Sequence, residues 1–217
     1  EGGIDNPEEI VEGTIEAQKK LLSGFGGNAK TSQHKFERAM QPQHVAISLD
    51  GEPTLYPHLT ELIREYKKKN FSTFVVSNGL LPERIEKLLE EPPTQLYISV
   101  DAPNEELFNL IDRPIIKNAW QGLLKTLIML PKLREKMRTV LRFTLIKGLN
   151  MNYTEQWAEI IKISNPMFVE IKAYMWVGMS RERLEQENMP LHEEVKQFAL
   201  EIAKHSGYKL IDEHEPS

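Results

Sequence analysis

Three short polar strings, each following an apolar run, hold many of the side chains that can do chemistry: Asp50-Gly51-Glu52-Pro53-Thr54, Ser77-Asn78-Gly79 and Ser99-Val100-Asp101. Gly51 permits a sharp turn and Pro53 fixes the backbone after it, so Glu52 between them offers carbonyls and a carboxylate suited to an ammonium group. Taken alone, Gly-Glu-Pro also reads as an ordinary turn, as does Ser-Asn-Gly, because Asn and Gly both tolerate positive φ. Ser99 and Asp101 are two apart, hence on one face of a strand, and can hold a ribose diol. A polar loop start is the plainer reading of the same pair. Later runs add Arg142 with Thr144 on one face, and Glu170, Lys172 and Tyr174 on another. An inward Arg is a forked donor for a carboxylate, while Glu170 and Lys172 can also form a buried pair that satisfies itself.

The composition limits the chemistry further. Among 217 residues there is no cysteine, which removes disulfides and thiolate metal sites from this chain. Its 6 histidines show no ligand spacing, so no metal is assigned to them. Gly24-Phe25-Gly26-Gly27 follows a helical pattern, whereas phosphate-binding glycine loops follow a strand, which disfavours nucleotide folds of that kind. With 27 Lys and Arg against 32 Asp and Glu the net charge is −5, which argues against nucleic-acid binding through overall charge but not through a local basic face. Lys67-Lys68-Lys69 and the run from Lys132 to Arg142 are the densest basic segments, and a solvated helix face is the simple reading of both. Trp120, Trp157 and Trp176 are expected in the core or at a rim. No run is long and apolar enough to span a membrane, and the acidic start at Glu1 does not look like a signal peptide, so a cytoplasmic location is expected.

Elements that alternate in type must position these groups. Asn6 before Pro7, with Glu8 and Glu9 behind, opens a helix running to about Leu22, and a long polar loop is expected from there to Gln43. Strands are then expected at 44–49, 71–77, 95–100, 139–146 and 168–174. Helical patterns follow them at 59–66, 82–90, 107–111 with 120–130, 153–163 and 192–205, and a last strand is expected near Tyr208 to Ile211. This is an α/β chain of βα units around a parallel sheet, read as one domain over 1–217. Open sheet and barrel both fit the alternation. Polar residues at interior strand positions, Ser99, Arg142, Thr144, Glu170 and Lys172, favour a barrel, whose strands can point such groups into a lumen.

The ordered set Gly-Glu-Pro, Ser-Asn-Gly, Ser-Val-Asp and an inward Arg resembles the S-adenosylmethionine site of radical SAM enzymes. Longer stretches, HVAISLDGEPTLYP from His44, FVVSNG from Phe74, YISVDAPN from Tyr97 and EIKAYMW from Glu170, look like the wybutosine-synthesising branch that acts on tRNA, the 4-demethylwyosine synthases. The resemblance covers nearly the whole chain. It implies a partial (β/α)6-type radical SAM barrel whose first strand and cluster loop are missing from this chain. It also implies that Gly51, Glu52 and Pro53 take the methionyl ammonium and that Ser77 and Asn78 lie along the methionyl moiety. Ser99 and Asp101 would face the ribose, Arg142 and Thr144 the carboxylate or substrate side, and Glu170, Lys172 and Tyr174, as the catalytic residues, the substrate end of the lumen.

The implied cofactors are S-adenosylmethionine and [4Fe-4S] clusters, and the implied partners are tRNA(Phe), pyruvate and an electron donor such as a flavodoxin or ferredoxin. The implied reaction condenses an N1-methylguanosine next to the anticodon with pyruvate, on a nucleotide drawn out of its stack. The family holds its clusters on cysteines, including a CxxxCxxC loop after the first barrel strand, and this chain has none. A longer parent protein is therefore expected, and the chain alone is expected to be inactive. Two readings compete with this one: another radical SAM enzyme, such as a glycyl-radical activase, and a non-catalytic tRNA-binding barrel.

Overall fold

The computed structural model describes residues 3–214, so the expectation drawn from Glu1 lies outside the described residues. Helix α1 (Pro7–Ser23) starts where Asn6 Oδ1 accepts the Glu8 amide at 2.8 Å and Pro7 needs no amide partner. After it the chain runs α2 (Gln33–Ala39), β1 (His44–Ile47), α3 (Leu59–Lys68), β2 (Ser72–Ser77), α4 (Pro82–Lys87) and β3 (Gln95–Val100). Then come α5 (Glu105–Ile111), α6 (Ala119–Leu133), β4 (Arg138–Leu145), α7 (Thr154–Ser164), β5 (Phe168–Ala173) and α8 (His192–Ser206).

The five strands pair in parallel and in chain order, β1-β2-β3-β4-β5. That order decides between the two architectures. Parallel crossovers are right-handed, so an order that never reverses places every connecting helix on the same side of the sheet. A doubly wound sheet needs a reversal, and a barrel does not. The burial pattern agrees: Val75, Leu96, Ile98, Leu141 and Phe143 are 0% exposed on the helix-covered face. The opposite face carries Phe74, Val76, Tyr97, Ser99, Arg142 and Glu170, all half-buried. This is the inner wall of a partial barrel.

Tight packing ties the helix layer to the strand ends. A Cβ on Gly122 of α6 would stand 2.5 Å from the Leu80 carbonyl oxygen, and Thr126, one turn on, donates to the Gly79 carbonyl at 2.6 Å. On the other flank Thr14 of α1 and Tyr66 of α3 share a hydroxyl hydrogen bond of 2.7 Å.

Two expectations are corrected. The segment expected as a loop to Gln43 contains α2, which buries no residue and so shows no apolar stripe in the sequence. The segment from Tyr208 to Ile211 is not a strand; Tyr208 packs against the core, and its hydroxyl donates to the Pro166 carbonyl just before β5. The Lys67, Lys68 and Lys69 run is a solvated face, each lysine paired with a carboxylate, of Glu91, Glu65 and Glu12 respectively.

Candidate functional site at the carboxyl ends of the strands

The first two strand ends form one connected rim. Gly51 takes φ +72°, which a side chain would resist, and lets the chain turn sharply after β1. Glu52 Oε1 then accepts the Thr54 amide at 3.1 Å, the Thr54 hydroxyl at 2.7 Å and the Ser77 hydroxyl at 2.7 Å. Its Oε2 accepts the Asn78 amide at 2.8 Å. Most of the Glu52 carboxylate is thus committed to joining the ends of β1 and β2, with capacity left on Oε2 alone. Ser77 is buried and also accepts the Gly79 amide at 3.0 Å, so its hydroxyl is spent within the protein. Asn78 is exposed, its side-chain oxygen accepting the Leu80 amide at 3.1 Å. Pro53 begins a short 3-10 turn, Pro53–Leu55, behind Glu52.

At the next two ends, Asp101 follows β3 with its Oδ1 buried and without a hydrogen-bond partner. Burial pushes its carboxyl up, opposed by hydrogen bonds from Thr144 and by the charge of Arg142. Ser99 is half-buried on the inner wall, and its register partner is Arg142. Asn150, 0% exposed, binds the two ends together: its amide donates to the carbonyls of Asp101 and Thr144 at 2.8 Å each and its oxygen accepts the Ile146 amide at 2.7 Å.

Farther along the inner wall a row crosses four strands. Phe74 meets Tyr97 edge-on at 4.5 Å, the Arg142 guanidinium lies 4.6 Å from the Tyr97 ring centroid, and Arg142 Nε donates to Glu170 at 2.8 Å. Burial pushes the Tyr97 phenol up, the Glu170 charge adds to this, and Arg142 opposes it. The self-satisfying pair of Glu170 with Lys172 is corrected here: Glu170 pairs with its cross-strand neighbour Arg142, since the register places those two side by side. Lys172 is exposed and has no ion-pair partner among the described residues. Tyr174 is buried, and its hydroxyl shares a hydrogen bond of 2.8 Å with Ser180 in the strap that follows β5. Of the tryptophans, Trp157 is buried, Trp120 packs at the core's edge, and Trp176 donates to the Leu184 carbonyl under the Arg181 guanidinium.

The sequence did not single out Asn150, Tyr97, Asp112 or Arg183. Asp112 ends α5 and its carboxyl is pushed up to about 7, first by burial and then by Asp101, with Arg183 opposing. Arg183 donates to the Leu110 and Ile111 carbonyls at 3.2 and 2.8 Å, capping α5 from the strap. Apart from the polar type of Asn150, nothing local marks these residues, because each works through a partner far away in sequence.

Residues 33–161 match the family model described as the Radical SAM superfamily, and residues 163–217 match Wyosine base formation. A crystal structure of archaeal TYW1 superimposes with a TM-score of 0.82 at 38% identity, covering 99% of this chain and 69% of that one. The chain belongs to the radical SAM superfamily, in its tRNA 4-demethylwyosine synthase branch. A structure of TYW1 with a lysine-pyruvate adduct bound gives a TM-score of 0.86 at 41% identity, over 96% of this chain and 66% of that one. The S-adenosyl-L-methionine-dependent tRNA 4-demethylwyosine synthase of Pyrococcus abyssi is 48% identical over 98% of this chain, which spans 63% of that protein's length.

The residues fit the two groups of a radical SAM enzyme unequally. A buried Asp101 oxygen and a Ser99 hydroxyl, each without a hydrogen-bond partner among the described residues, stand with the Arg142 fork on one face, where a nucleoside with a charged tail needs acceptors and a donor. For an iron–sulfur cluster the chain offers no thiolate, and no group of three His, Asp or Glu among the described residues is placed to hold a metal.

Proposed function

We propose that this chain forms the cofactor-binding and substrate-facing wall of a radical SAM enzyme that builds 4-demethylwyosine on tRNA(Phe) from N1-methylguanosine and pyruvate. The observation that carries the reading is the set of polar groups that five parallel strands bring to one side: the Glu52 clasp and Asp101 at strand ends, and the Arg142–Glu170 pair on the inner wall. Ligands of parallel βα folds sit at that end.

The residues divide the work by position. The Gly51-Glu52-Pro53 turn receives the methionyl ammonium through carbonyls and the remaining Glu52 Oε2 lone pair, and Ser77 with Asn78 sets the Glu52 carboxylate in place. Ser99 and Asp101 take the ribose hydroxyls. Arg142 and Thr144 take the carboxylate, with Glu170 and Tyr97 holding the guanidinium flat against the wall. Bound there, S-adenosylmethionine supplies radical hydrogen abstraction from a methyl group, together with [4Fe-4S] clusters whose cysteine ligands are not in this chain. Lys172 has no ion-pair partner among the described residues; its exposed ammonium suits a pyruvate carboxylate, with Glu170 beside it and Tyr174 bracing the strap behind. The electron donor is a flavodoxin or ferredoxin, and the protein works in the cytoplasm; no helix among the described residues is long and apolar enough to cross a membrane.

The test uses the full-length protein with its clusters reconstituted, given tRNA bearing N1-methylguanosine and pyruvate. Formation of the tricyclic base is expected, and its absence would defeat the reading. Asp101→Ala and Arg142→Ala are expected to weaken S-adenosylmethionine binding by about tenfold or more while leaving tRNA affinity unchanged, in line with about 1.5–3 kcal/mol for a charged hydrogen bond.

A further inference from the structure

We propose that the loop 113–118 is a docking arm for single-stranded RNA, gripping phosphates on either side of an unstacked base as it approaches the strand ends. This rests on the tRNA-modifying activity proposed above and names the surface that delivers the substrate.

The loop's placement comes first. It begins directly after Asp112, whose carboxyl feels the charge of Asp101 at the end of β3. It finishes at Asn118, which precedes α6, and α6 is pressed through Gly122 against the Leu80 carbonyl just past β2. The loop therefore rims the mouth between the ends of β2 and β3. Arg183 fixes its base to the strap after β5 by capping α5.

The loop's tip is open to solvent. Arg113 has φ +48° and Asn118 φ +56°, so non-glycine residues in the left-handed region bracket the loop. Such a residue costs about 1–2 kcal/mol where nothing compensates, least for Asn, and this loop holds two of the five among the described residues. Between them Ile115 is 100% exposed and Ile116 44% exposed. Ile115 therefore offers an unpacked apolar surface beside the two cations of the loop.

The charge says which partner. Arg113 and Lys117 have no ion pair or hydrogen bond among the described residues, and the segment 113–118 contains no acid. Arg64, Lys67 and Lys147 are each matched by a carboxylate, whereas these two, like Lys172, are not. In a chain of net charge −5, two uncompensated cations flanking an exposed isoleucine at the mouth suit a polyanion with apolar faces. Single-stranded RNA has both: phosphates for Arg113 and Lys117, and an unstacked base for Ile115. A duplex would keep its bases stacked away from Ile115.

The experiment takes the full-length, cluster-loaded protein as wild type, as Arg113→Gln with Lys117→Gln, and as Ile115→Ser. It measures tRNA binding across a salt series, S-adenosylmethionine affinity and tricyclic base formation. The double variant is expected to bind tRNA about tenfold more weakly or worse, with the slope of log K against log salt reduced by about 1.4–1.8, since each phosphate contact contributes roughly 0.7–0.9. Ile115→Ser is expected to weaken binding with the slope unchanged. S-adenosylmethionine affinity is expected to stay within about twofold in both, which also shows that they fold. Wild-type tRNA affinity and slope in both variants would overturn the docking arm while leaving the activity in place. So would a loss of turnover alone, which would point to a protein partner at the loop. A wild-type protein that binds tRNA through this loop yet makes no tricyclic base would defeat the activity and not the arm.

Discussion

The Ser77 hydroxyl donates to Glu52 Oε1 across 2.7 Å, joining residues 25 positions apart at the ends of two neighbouring strands. Two Thr54 donors reach the same oxygen, and the Asn78 amide reaches the other. The only acid in the Gly-Glu-Pro turn is therefore a clasp as well as a ligand-facing group. Its direction is set before any ligand arrives, which lowers the cost of ordering on binding.

Ser77→Ala removes one charged hydrogen bond, leaves Glu52 with its remaining partners and takes the acceptor from the Gly79 amide. A loss of about 1.5–3 kcal/mol in stability is expected, together with weaker S-adenosylmethionine binding because Glu52 is less firmly aimed. Thermal unfolding and ligand titration on the full-length protein check both. Unchanged affinity would show that the clasp serves the fold alone.

Asn150 is the corresponding tie between the ends of β3 and β4. Asn150→Ala strands the Ile146 amide and takes a donor from the Asp101 and Thr144 carbonyls, all in a dry setting. The expected cost is about 3 kcal/mol or more, or roughly 6–12 °C in Tm for a domain of this size. Asn150→Asp is expected to be worse, because a carboxylate would face the same two carbonyls with no proton to give. Equal Tm values for the two variants would contradict this account.

Gly122 tests the helix layer's grip on the rim. A methyl there meets the Leu80 backbone oxygen at 2.5 Å, and backbone cannot swing aside as a side-chain tip can. Gly122→Ala would gain helix propensity, worth about 1 kcal/mol. A net destabilisation of about 1–2 kcal/mol is nevertheless expected, because overpacking outweighs that gain. Denaturant titration reads the sign directly, and a stabilised variant would mean that α6 can step back freely.

The strands were legible because their apolar faces alternate with inner-wall residues every second position, as in Leu96, Ile98 and Val100 against Tyr97 and Ser99. Helix α2 was not, having no buried side chain to set a rhythm. Tyr208 to Ile211 has strand-like residues but no ladder, since composition shows what a segment can do and not whether an edge is offered to it. At the site, Glu52 and Asp101 stood out as polar residues at strand ends and Arg142 as a charge inside a strand. Their partners did not: Arg142 with Tyr97 spans 45 positions, and Asn150 with Asp101 spans 49. The choice of Arg142 over Lys172 as the partner of Glu170 is a matter of cross-strand register, which one sequence does not display.

Asp112 gives a pH prediction with a definite sign. Burial and the neighbouring Asp101 push its carboxyl up to about 7 in the folded protein, against about 3.9 for an unfolded aspartate. The folded state thus holds this proton where the unfolded chain has released it. The stability it contributes is fully present below about pH 4 and is lost as pH rises through about 7. Asp112→Asn cannot titrate and loses nothing over that interval, so the Tm of the wild type is expected to fall relative to the variant between about pH 4 and 8, then run parallel to it. Much of the residue's area is open to solvent, so the prediction is the sign of that difference and not its size. Glu91, whose carboxyl Lys67 and Arg64 hold below the usual range, acts in the opposite sense and only at more acidic pH, and it cancels in the comparison. A wild type that gains on the variant as pH rises would show that Asp112 is ionised at no cost and that Arg183, not Asp101, governs it.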